Sequence, residues 1–149
     1  ESDLELLLPA TYVTGSSERM LLYRELDGLT LDDDVETFRT RLVDRFGPIP
    51  PETEELLRIV PLRRIAARLG VEKVFLKGGR MTLFLVSNPE SPYYKSKSFG
   101  KLIAYMMKYT RRCDLRDQNN RRSMLVNSVP NVETAVSILK EIVAMEVED

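Results

Sequence analysis

The chain has 149 residues, 43% hydrophobic and 30% charged, with a net charge of −1, one cysteine and no histidine. That composition suits one domain able to bury roughly two-thirds of its unfolded surface. It excludes an internal disulfide, a zinc site of the Cys/His kind, and Ser-His or Cys-His nucleophilic pairs. No apolar run approaches the roughly 20 residues that cross a bilayer. The opening Glu-Ser-Asp-Leu-Glu has neither the basic nor the apolar part of a signal peptide, so a cytoplasmic location is expected. Lacking an initiator Met and opening in mid-strand, the chain reads as a piece of a longer polypeptide.

Leu4 to Leu8 is a short apolar run ended by Pro9 and is expected as a strand. A helix follows, with Ser16 or Ser17 as N-cap, Glu18 in its first turn, and Met20, Leu21, Leu22 and Leu26 as its apolar face until Asp27-Gly28. In the next helix Thr30 is placed to cap and Asp32, Asp33 and Asp34 load the positive end. Its Val35, Phe38, Leu42 and Phe46 recur at three- and four-residue spacing, and Gly47-Pro48 stops it. Pro51 suits the start of a third helix, whose apolar face runs from Leu56 through Leu69 to Gly70. Pro61 removes a backbone donor inside that pattern, which predicts a kink or two abutting helices.

Val71–Leu76 and Met81–Val86 read as strands joined by Gly78-Gly79, a pair suited to the positive φ of a two-residue hairpin turn. Phe99–Tyr109 is expected as a helix that can bury Leu102, Ile103, Met106 and Met107. Cys113–Arg116 and Arg122–Val126 are expected as strands turned by Asp117–Asn120. A final helix starts at an Asn131 cap and carries Val132, Val136, Leu139, Ile142 and Val143. Together these give an α+β fold, a small, mainly antiparallel sheet packed with about five helices.

Charge is segregated along the chain. Residues 1–60 hold 6 Lys/Arg against 14 Asp/Glu, residues 61–128 hold 15 against 4, and the last 21 hold 1 against 5. The basic stretch 95–122 interleaves Lys95, Lys97, Lys101, Lys108, Arg111, Arg112, Arg116, Arg121 and Arg122 with Tyr93, Tyr94, Tyr105 and Tyr109, the composition of a nucleic-acid surface. The bland reading is a solvated face that balances the acidic part. Gly78-Gly79 lies in no Gly-x-x-x-x-Gly-Lys-Ser/Thr pattern and suits a hairpin better than a phosphate loop. Consecutive acids at 32–34 point in different directions and suit a helix start better than a metal site. Asp44, Arg45 and, one turn back, Arg41 are either solvated charges at a helix end or an exposed polar patch for a partner.

Three blocks carry more than composition: Leu-Leu-Leu-Pro-Ala-Thr-Tyr-Val at 6–13, Arg19 to Leu26 with Tyr23, and Leu-Val-Asp-Arg-Phe-Gly-Pro-Ile-Pro at 42–50. With Leu69-Gly-Val and the hairpin after it, they resemble the C-terminal, TRCF-type domain of the bacterial transcription-repair coupling factor (Mfd) family. The likeness runs from about Leu6 almost to the end, and after Val86 it lies only in the order of elements.

The resemblance implies a single C-terminal regulatory domain over 1–149 within an ATP-driven double-stranded DNA translocase. That parent displaces RNA polymerase stalled at a lesion and recruits UvrA for nucleotide excision repair. ATP and magnesium would belong to the parent's motor domains, leaving this chain with no cofactor and no enzymatic activity of its own. The family's C-terminal domain docks on the UvrB-like N-terminal module, an autoinhibitory contact, and meets UvrA, RNA polymerase and DNA indirectly. On the matching block, Asp44 is implied as a partner-binding carboxylate for an Arg of that module, with Arg45 and Phe46 supporting the helix end. Arg41 stands where the family pattern has an acid. The alternative is a nucleic-acid-binding module using segment 95–122. A carboxylate enzyme is the weaker third, since no convergent acid, base and nucleophile stand out.

Overall fold

A computed structural model describes residues 6–148. Two compact units divide at Pro61/Leu62. The first holds α1 (Ser16–Asp27), α2 (Asp32–Phe46), α3 (Pro51–Leu57) and the first residues of α4 (Ile59–Arg68). Val35, Phe38 and Leu42 from α2 join Leu26, Leu57 and Val60 in one buried cluster, as the helical spacing predicts. The expected third helix is divided at Arg58, three residues ahead of Pro61. Pro61 therefore sits in the first turn of α4, where its missing N–H falls among donors that have no helical partner.

Several local expectations differ from the structure. The strand placed at Leu4–Leu8 lies partly outside the described residues, and Leu6–Leu8 are not in a strand. Ser16 enters α1 as a helical residue, with Gly15 at the N-cap and no side-chain cap. The incoming chain is held instead by Arg19, whose Nη1 donates to the carbonyls of Val13 at 2.7 Å and Thr14 at 3.1 Å. Leu31, not Thr30, is the N-cap of α2, so that helix start rests on the three aspartates and the helix dipole. Met20 and Leu21 are 58% and 63% exposed, leaving Leu26 as the buried residue of α1.

The second unit is built on a four-stranded antiparallel sheet of order β1-β2-β4-β3, with β1 Lys73–Lys77, β2 Arg80–Phe84, β3 Cys113–Gln118 and β4 Arg121–Asn127. Both hairpins have two-residue turns with positive φ at both positions, Gly78-Gly79 in one and Asn119-Asn120 in the other. Register places Met81 opposite Val126 and Leu83 opposite Met124, and all four are fully buried on one face. Leu102 and Tyr105 of α5 (Lys97–Lys108) and six residues of α6 (Val132–Ala144) complete this unit's core. Helix α5 starts two residues earlier than expected because Ser96 Oγ accepts from Phe99 N, and Met107 is exposed rather than buried. Asn131 caps α6 as expected, accepting from Thr134 N at 2.8 Å. The whole is α+β with one antiparallel sheet, as the sequence predicts.

Gly70, with φ +73°, ends α4, and a Cβ there would lie 2.3 Å from Tyr93 Cε1. The Tyr93 ring is anchored by its hydroxyl, which donates to Leu69 O at 2.7 Å, so it has little freedom to yield. Gly70→Ala combines backbone strain with this clash and is expected to lower stability by about 2–4 kcal/mol. The midpoint of urea unfolding checks it.

Candidate interaction site at the end of the second helix

Helix α2 stops at Gly47, whose φ of +89° is left-handed and whose N–H donates to Val43 O at 2.9 Å. From the first sequence block, Tyr12 donates its hydroxyl to Gly47 O at 2.8 Å and lies 3.3 Å from Leu42 O, while its ring packs on Phe46 with centroids 5.7 Å apart. Burial, with Glu54 nearby, pushes the Tyr12 hydroxyl up in pKa and keeps it a donor. Thr53, fully buried, donates to Leu7 O at 2.8 Å, and Leu8 N donates to the Tyr23 hydroxyl at 2.7 Å. The three blocks therefore interlock through hydrogen bonds between residues 15 and 35 positions apart, and Thr53 ties the first block to α3 across 46 positions.

This frame brings Asp44, Arg45 and Arg41 to one groove of about 350 Å³, which Leu22, Phe38, Leu42 and Phe46 also line. The two arginines are committed within the unit. Arg45 Nη2 stands 2.9 Å from Glu18 Oε1 and its guanidinium lies over Phe46 at 5.0 Å. That Glu18 oxygen is buried, and the contact is an ion pair rather than an aligned hydrogen bond. Arg41 pairs with Glu25 and lies over Phe38 at 5.5 Å. Asp44 is exposed on the rim and its carboxylate has no hydrogen bond or ion pair among the described residues. Of the three candidates it alone presents an unspent charge. Spacing could place all three on the same helix, but nothing in the sequence assigned Glu18 and Glu25 as partners or Tyr12 as the clamp. Their helix positions opposite the arginines were the only available signal.

Segment 95–122 does not form one face. Lys101 Nζ donates to Val143 O at 2.8 Å, and Lys108 pairs with Glu141 at 3.4 Å. Arg112 donates to the carbonyls of Asn127 and Ser128, each at 2.9 Å. Arg116 pairs with Asp114, Arg121 with Glu72 and Arg122 with Asp117, while the Arg122 guanidinium lies over Tyr94 at 4.5 Å. Tyr105 is buried, which pushes its hydroxyl up to about 12. Buried Cys113 likewise has its thiol pushed up by burial, away from reactive thiolate. Among the described residues no group of three or more Cys, Asp or Glu could hold a metal ion. Among the described residues no helix is long and apolar enough to cross a membrane.

The family model for the TRCF domain matches residues 2–96, which include the interlocked blocks, the first hairpin and the turn before α5. The chain belongs to the TRCF domain family. Similar proteins include transcription-repair-coupling factors of Rickettsia bellii, 28% identical over 117 residues, and Rickettsia conorii, 34% identical over 71. These alignments cover 78% and 48% of the chain but only 10% and 6% of the relatives, so the chain spans about a tenth or less of the length of the relatives it matches. A relative from Staphylococcus epidermidis is 31% identical over 85 residues, 57% of the chain and 7% of that protein. The crystal structure of a C-terminal domain of transcription-repair coupling factor superposes with a TM-score of 0.69 at 15% identity, covering 96% of this chain and 91% of that one. At that identity the likeness concerns the fold. It extends the match through α5, β3, β4 and α6, beyond the end of the family model.

Because Tyr12 joins the TRCF blocks, Tyr12→Phe is expected to cost about 1 kcal/mol and to lower the melting temperature by about 2–4 °C. Thermal melts of the two proteins, followed by circular dichroism, check it.

Proposed function

We propose that this TRCF domain is a regulatory, autoinhibitory part of an ATP-dependent DNA translocase, and that it works by docking on a UvrB-like module of the same polypeptide. The parent would displace stalled RNA polymerase and recruit UvrA for nucleotide excision repair. ATP and magnesium would act in the parent's motor domains, and this chain would contribute contact rather than chemistry.

The observation that carries this reading is the exposed, unpartnered carboxylate of Asp44 beside an apolar groove whose two arginines are already paired. An unpaired carboxylate on a fixed helix end suits a guanidinium arriving from outside, since such a pair is directional and charge-assisted. Arg41 and Arg45, held by Glu25 and Glu18, are kept from capturing Asp44 for themselves. The contact is rim-like and exposed, which favours separability: it strengthens recognition without making the interface permanent. Release on engagement with RNA polymerase would then uncover the UvrA-binding surface of the module.

Asp44→Arg should leave the circular dichroism spectrum and melting temperature unchanged while weakening binding to the isolated UvrB-like module by about tenfold or more, the scale of a charge-assisted hydrogen bond. Calorimetric titration measures the first effect, and UvrA capture by the full-length protein should rise in parallel. A folded Asp44→Arg protein with unchanged UvrA capture contradicts the proposal.

A further inference from the structure

The outer face of the sheet carries a second charged surface, separate from the Asp44 groove and largely outside segment 95–122. Strand register fixes its membership: Lys73 lies opposite Phe84, Phe75 opposite Thr82, and Lys77 opposite Arg80. Side-chain contacts agree, for Arg80 Nε donates to Asn127 Oδ1 at 3.3 Å across the strands, and Arg116 meets Asp114 two residues away at 3.2 Å. On the inner face Met81, Leu83, Met124 and Val126 are fully buried; on the outer face Ser123 and Leu125 of the central strand β4 are buried, whereas Lys73, Lys77, Arg80 and Arg116 around them are exposed. Phe75 and Phe84 are partly exposed among these cations. The Phe84 ring has Lys73 Nζ 6.0 Å and Arg121 Cζ 5.4 Å from its centroid.

We propose that this outer sheet face binds single-stranded nucleic acid without sequence preference. Among the described residues five cations on this surface stand against two carboxylates, Asp114 on the face and Glu72 at its edge, so the surface these residues form is net positive. Lys77 and Arg80, at the hairpin tip, have no carboxylate partner among the described residues. The setting reinforces this, because residues 62–149 hold 16 Lys/Arg against 9 Asp/Glu. Cations alone would accept any polyanion, and the phenyl rings narrow the choice. A base offers a π-face to stack on an aromatic ring or a guanidinium plane, while its phosphates meet the flanking lysines and arginines. An acidic peptide supplies the charge without the stacking surface. A duplex keeps its bases inside, and reading it takes a helix or ribbon that enters a groove, which a flat sheet face does not offer.

Fluorescence anisotropy of the 149-residue chain with a labelled 20-nucleotide oligo(dT) tests this. Binding is expected at roughly micromolar to 100 µM near physiological salt, with a log–log salt slope of about −2 to −3, as for three or four neutralised phosphates. Lys77→Glu with Arg80→Glu should weaken binding at least tenfold, whereas Lys95→Glu with Arg111→Glu, exposed cations elsewhere in the unit, should change it less than twofold. Phe84→Leu, which keeps an apolar side chain, should lose about fivefold if the ring stacks a base. Circular dichroism shows that each variant is folded. Absence of binding at 50 mM salt overturns the proposal. So does equal loss in the two double variants, or oligo-glutamate binding as tightly as oligo(dT).

Discussion

The hydrogen bond from the Tyr12 hydroxyl to the Gly47 carbonyl holds the N-terminal unit in register. A left-handed residue must end α2 there, and only glycine takes φ +89° without strain. The turn leaves helix-end carbonyls in need of donors, and a tyrosine 35 residues earlier supplies one. Ring contact with Phe46 fixes the direction in which the last turn of α2 faces. Asp44 and Arg45 lie on that turn, so their aim depends on the clamp. Tyr23 and Thr53 extend the same logic to the backbone of Leu8 and Leu7, which has no strand partners of its own.

Charge is resolved differently in the two units. In the acidic one, Glu18, Glu25 and Glu54 neutralise Arg45, Arg41 and Arg39, and Asp44 is among the carboxylates left over. In the basic one, Glu141, Asp117, Glu72 and Asp114 each take one cation, and the cations they leave include Lys77 and Arg80 at the hairpin tip. Exposed pairs of this kind add little stability individually. Their consequence is selective: they spend Arg41 and Arg45 beside Asp44 and leave that carboxylate open at the groove, while the sheet face of the other unit keeps unpaired cations.

Periodicity made the helices legible. Val35, Phe38 and Leu42 could be read from spacing because one face of α2 is buried in a single cluster. The hairpins were legible for a different reason, since Gly78-Gly79 and Asn119-Asn120 are residue types that tolerate positive φ. Helix starts were less so. Ser16 and Thr30 have the chemistry of caps, but neither helix has a side-chain cap: Arg19 holds the carbonyls ahead of α1, and three aspartates load the positive end of α2. Met20, Leu21 and Met107 are apolar yet exposed, a choice made by packing rather than by local pattern. At the candidate site the residues could be named in advance, but which one was free could not. That depended on glutamates from α1 reaching arginines on α2, a pairing between residues 16 and 27 positions apart.

A double-mutant cycle between this chain and the UvrB-like module addresses the availability of Asp44 most directly. Asp44→Ala and Arg45→Ala would each be combined with alanine replacements of the module's surface arginines, and the affinities compared. One arginine should show a coupling energy with Asp44 of about 1–3 kcal/mol, while Arg45, already spent on Glu18, shows none. Coupling to Arg45 with none to Asp44 would contradict the account.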